Sequence, residues 1–202
     1  MRDESFPGRA KQSEEEYFRR KEQELVAKLK EKSERESHRK GLAEAVGVTD
    51  DAILAAIEEM GFSRDVVVVL HLFPLVAVAW ADGELADGER AKIVEAARAW
   101  GIAPGTPADA RLEEWLRERP DPVTTDRALR LIRDILAFRT LDKGDDYRTN
   151  ILGMCEAVAG ASGGFLGLGA KVSIAERAVI ERIAGELVQS HTTAVRRVLG
   201  DE

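Results

Sequence analysis

Apolar and polar positions along this chain repeat with a helical period rather than a strand period. Residues 12–40 interleave Glu with Lys and Arg at three- and four-residue spacing, which predicts an exposed helix. Ser13 ahead of Glu14, Glu15 and Glu16 marks its start, and Gly41 its end. Its apolar residues are few, and Phe18, Leu25 and Leu29 share a seam too short for an autonomous coiled coil. Residues 1–11 are polar and aperiodic and read as disordered. A short helix opens at Thr49, Asp50 and Asp51, carries Ile53, Leu54 and Ile57 on one face, and closes at Gly61. Ser63 then caps a nearly all-apolar helix over residues 64–81, with a kink expected at Pro74. After a turn at 82–86 a second helix covers 87–100 and stops at Gly101. Further helices are predicted over 108–118, 124–138, 146–160, 174–189 and 190–199, with a turn at 142–145. The pattern predicts an all-α bundle of seven to nine helices and no sheet.

Two parts of this pattern repeat. Val-Ala-Trp-Ala-Asp-Gly runs from Val78 to Gly83, followed by Glu89-Arg90 and Ile93. Val-Ala-Gly-Ala-Ser-Gly runs from Val158 to Gly163, followed by Glu176-Arg177 and Ile180. The offset is 80 residues from Val78 to Val158 and 87 from Glu89 to Glu176, so a duplicated helical hairpin with seven extra residues in the second loop explains both. Such copies bury their apolar faces on each other.

Charge and cysteine usage narrow the setting. The 202 residues hold 30 basic and 37 acidic side chains, a net charge of −7, which argues against nucleic acid as the main partner. The single Cys155 excludes an internal disulfide and any CxxC zinc site, and with no apolar leader at the start a cytoplasmic location is expected. The apolar run at 66–81 contains His71 and Pro74 and is shorter than a membrane span of about 20 residues, so it reads as a buried core helix.

The duplicated loops differ in chemistry. Asp82, Glu84, Asp87 and Glu89 put four carboxylates around Gly83, a supply of oxygen ligands suited to a calcium-like divalent cation. The same acids have a simpler use: Glu89 reaches back to the N–H of Ala86 in a capping box, and the others favour the helix dipole. The second loop, 160–172, is Gly-rich, apolar and free of acids, and Ser173 with Glu176 forms a capping box after it. No catalytic constellation is visible: His38, His71 and His191 are far apart, and Cys155 reads as a small buried hydrophobe.

The segment Ala81-Asp82-Gly83-Glu84 after an apolar helix, with Glu89-Arg90 opening the next, resembles the TerB-like family, named for a tellurite-resistance protein. The likeness covers residues 62–199 and divides the chain into a charged N-terminal part, 1–61, and a helical bundle, 62–202. The resemblance implies a non-enzymatic stress-response module, with divalent metal at acidic interhelical loops and a place near the membrane, where peripheral association is possible. Asp82, Glu84 and Glu89 fall on the family's acidic positions, whereas Ser162 and Gly164 replace acids in the second half and Glu176 remains. The alternative is a metal-free adaptor that meets a protein partner through helix 12–40 and the loop 160–172.

Overall fold

The computed structural model describes the backbone of residues 6–138, 141–161 and 172–199. Among these residues there are eight α-helices, one 3-10 segment and no strand. The helices are α1 (Phe6–Val46), α2 (Asp51–Glu59), α3 (Phe73–Ala79), α4 (Asp87–Ala99), α5 (Pro107–Arg117), α6 (Pro122–Phe138), α7 (Leu141–Ala159) and α8 (Ile174–Leu199), and the 3-10 segment is Val67–Leu72. The all-α expectation holds. The chain divides into two compact units, residues 1–41 and 42–202.

The first unit is a solvated helix. Glu31 with Arg35, Lys30 with Glu34 and Lys32 with Glu36 pair one turn apart on exposed positions. Each such pair adds only about 0.2–0.5 kcal/mol. Tyr17, Phe18, Leu25, Val26 and Leu29 are all exposed.

Several boundaries differ from the sequence reading, each for a physical reason. Helix α1 already covers the described residues from Phe6, ahead of the start expected at residue 12. It also runs through Gly41 to Val46 and ends at Gly47, whose φ of 68° closes the last turn. Leu42 and Val46 are buried in the core, and that burial outweighs the helix cost of Gly41. Pro74 opens α3 instead of kinking a longer helix, because residues 67–72 wind as 3-10 before it. The turn expected at 142–145 is helical and belongs to the start of α7, and the expected helices 174–189 and 190–199 are one, α8.

The core of the second unit joins residues from every helix in it. Residues 42–61 contribute Leu42, Val46, Val48, Leu54 and Ile57. The duplicated hairpins, α3–α4 and α7–α8, form its centre. Their local hydrogen bonds match residue for residue: the N–H of Trp80 and of Ala81 donate to Val76 and Val78, as Gly160 and Ala161 donate to Glu156 and Val158. Helix α3 packs on α7, and each copy also crosses over, α3 to α8 and α4 to α7. Val78 and Ala79 of one copy and Val158 and Ala159 of the other are fully or almost fully buried. Trp80 ties this centre to α5 through a hydrogen bond from Nε1 to the Trp115 carbonyl at 2.8 Å, and Phe73 stacks edge-on to the Trp115 ring at 4.9 Å.

The copies meet closely at Gly88. A Cβ at this position would lie 2.2 Å from the backbone oxygen of Ala161, in the turn that ends α7. Only glycine permits the first turn of α4 to sit there. Gly88→Ala should therefore lower stability by about 1–3 kcal/mol, the usual cost of overpacking. Gly153→Ala, whose added methyl meets nothing, should be neutral or stabilising. Urea denaturation of both variants beside the parent chain checks the contrast.

Candidate functional site

Helices α4 and α8 open at exposed residues, Asp87 and Ile174, but each carries in its third helical position a glutamate that turns into the bundle. Glu89 Oε2 accepts the N–H of Ala86 at 2.8 Å. Glu176 Oε2 accepts the N–H of Ser173, and Ser173 Oγ in turn accepts the N–H of Glu176 at 3.1 Å. The second copy thus has a complete capping box. The first has half of one, because the Ala86 methyl offers no acceptor.

Both capping glutamates are buried, Glu89 to 2% exposure and Glu176 to 1%. They sit at equivalent positions of the duplicated hairpin, and their carboxyl groups face each other within hydrogen-bonding reach. Burial pushes the Glu89 carboxyl up to about 7. The Ala86 N–H pulls the other way, while the facing Glu176 carboxyl and the negative charge of Asp82 add to the rise. Glu176 Oε1 is buried without a hydrogen-bond donor among the described residues. Two carboxylates only accept, so the contact is satisfied when a proton or a cation lies between them.

The other acids of the first loop do not join this pair. Asp82, Glu84 and Asp87 are exposed. Asp82 Oδ1 accepts the Glu84 N–H at 3.2 Å and closes the turn, where Gly83 takes a φ of 99°. Asp82 is near enough for its charge to bear on Glu89. Among the described residues no three His, Cys, Asp or Glu side chains converge as a metal-holding group. Of the four acids read as a candidate metal centre, Asp82, Glu84, Asp87 and Glu89, Glu89 turns into the core while the other three are exposed. Glu176 is the partner that the loop-by-loop reading missed. Its signal was present in the 87-residue offset, since equivalent positions in a duplicated unit meet where the two copies meet.

The Gly-rich segment 162–171 lies outside the described residues. Cys155 occupies the α7 position equivalent to Leu75 in α3, is fully buried, and burial holds its thiol up at about 12. His71 stacks edge-on to Trp100 at 5.5 Å. No helix among the described residues is long and apolar enough to cross a membrane. No family model, curated protein or solved structure matches the chain.

The pH dependence follows from Glu89. Its folded-state pKa lies above the ordinary 4.5, so between about pH 4.5 and 7 the folded protein holds more protons than the unfolded chain. Stability contributed by the protonated group is full below this window and falls as pH rises through it. Glu89→Gln keeps an acceptor for Ala86 and supplies an N–H toward Glu176. With a chelator present, thermal melts should show the parent chain losing stability from pH 5 to 8. Glu89→Gln should lose less and melt above the parent at about pH 8.

Proposed function

We propose that this chain is a non-enzymatic TerB-like module of a stress-response system, in which the facing carboxyls of the two hairpins exchange a proton for a divalent cation. The observation that carries the reading is the buried pair Glu89–Glu176, with one Glu176 oxygen lacking a donor and a further negative charge at Asp82. These residues fit a hard cation in donor type. Glu89 and Glu176 would hold it and Asp82 would stand at the edge. Calcium takes about six to eight oxygens, so backbone carbonyls and water would complete the shell. A cation would bind most tightly above the Glu89 pKa of about 7, where Glu89 no longer holds its proton. The buried, unreactive thiol of Cys155 supports the non-enzymatic side of the reading.

The test is a calcium titration at about pH 8, followed by calorimetry and thermal shift. The parent chain should release binding heat and melt higher with calcium. Asp82→Ala should weaken the response, and Glu89→Gln should remove it. No heat and no shift in the parent chain, or an equal response in Glu89→Gln, removes the cation from the reading.

The five exposed apolar side chains of α1 favour a second reading, a metal-free adaptor docking a protein partner on that helix. Replacing Phe18, Leu25 and Leu29 together by Ser should then abolish partner capture and leave the melting temperature unchanged. Capture that survives the triple substitution counts against it.

A further inference from the structure

A second concavity of about 170 Å³ lies among α3, α6, α8 and the 118–122 connection, and shares no residue with the carboxylate pair. Its apolar walls come from Trp80, Leu129, Val179, Pro120 and Pro122. A dry cavity of about 150 Å³ lined by apolar side chains is large enough for benzene. The space therefore takes a body the size of one ring or a short branched chain.

The polar groups around it are mostly committed elsewhere. The Trp80 indole N–H donates to the Trp115 carbonyl, so the ring offers the cavity carbon alone. The Thr125 hydroxyl donates to the Asp121 carbonyl at 3.0 Å. Arg182 Nη2 lies 2.8 Å from Asp126 Oδ1, and the two charges cancel. Arg119 is the exception: among the described residues its guanidinium has no hydrogen bond or ion pair, and its Nη1 lies 3.9 Å from where a Cβ on Gly83 would stand, beside the acidic loop of Asp82 and Glu84. The cavity wall is thus one unpaired guanidinium above an apolar interior, with the Arg182–Asp126 pair beside it.

We propose that this cavity binds a small monocarboxylic acid whose apolar body is ring-sized, with the carboxylate on Arg119. Guanidinium is weakly hydrated and matches a carboxylate with two parallel hydrogen bonds, so Arg119 takes the head group at the rim. Trp80, Leu129 and Val179 take the body. Asp126 and the acidic loop of Asp82 and Glu84 around Gly83 set the charge preference. One negative charge pairs with Arg119, whereas the second charge of a dianionic phosphate meets these carboxylates. Neither a bare small anion nor a neutral ring has both halves of the match. The site shares no residue with the proposed cation site, and the probes below are titrated without a divalent cation.

The experiment is an amide and indole NMR titration of the full chain with four probes: benzoate, benzyl alcohol, acetate and phenyl phosphate. Benzoate should shift the Trp80 indole signal and the Leu129 and Val179 amides along one saturable curve, and bind more tightly than the other three. Arg119→Gln changes an exposed, unpartnered side chain, so its melting temperature should match the parent. It should weaken benzoate by about fivefold or more and leave benzyl alcohol unchanged. Absent benzoate shifts, an equal affinity for acetate or phenyl phosphate, or an unaltered benzoate affinity in Arg119→Gln would each overturn the assignment.

Discussion

A glutamate that caps a helix with its carboxylate buried must find a partner for its spare oxygen, and in this bundle two such glutamates meet in one place. Helices α4 and α8 each bring a glutamate in the third position back onto the N–H of the residue before the helix. Capping of this kind usually sits at the surface, where the spare carboxylate oxygen is hydrated. Here both capping carboxylates turn toward the shared interior, so the spare oxygens face each other instead of water. Much of the local structure depends on that meeting. Gly88 is needed because the α4 start presses on the turn after α7, and the raised pKa of Glu89 is the electrostatic result.

The two halves have diverged around this point without losing their geometry. The backbone bonds that end α3 and α7 agree at the 80-residue offset, and those that open α4 and α8 agree at 87. The side chains do not agree. Ser173 completes its capping box, while Ala86 leaves the Glu89 N–H without a hydroxyl acceptor. The first loop adds Asp82, whose charge reaches Glu89. The negative potential is therefore greater on the Glu89 side, and a proton or cation shared by the pair is biased toward that half.

The sequence made the helices legible where caps and periodicity agree, as at Asp50 for α2, whose Oδ1 accepts from Ala52 and Ile53. It misled where tertiary packing overrode a local stop. Gly41 lies inside α1 because Leu42 and Val46 have core to reach, and Pro74 starts a helix because the preceding turn is 3-10. For the site, Glu89 was visible as an acid near a turn, but acid count in the loop pointed to Asp82, Glu84 and Asp87 as equals. Solvent exposure separates them, and exposure is set by which way the α4 start faces. The pairing with Glu176 and the Arg119 cavity join residues tens of positions apart, and no spacing rule within a loop reveals them.

Helix capping alone does not explain two buried acids in contact. A serine or aspartate before a helix caps its early N–H groups without burying a carboxylate, as Ser173 does for the N–H of Glu176. Opposed carboxylates in a core are destabilising once both ionise, and apolar replacements of similar volume often stabilise such sites. The arrangement is stable in two circumstances: when one carboxyl stays protonated, or when a cation neutralises both. Those two states differ in charge at a place where both hairpins meet, next to the close contact of Gly88 with Ala161. On the proposed reading, exchange between them would change the electrostatic force between the two halves of the bundle, tying occupancy of the pair to how firmly the hairpins hold together.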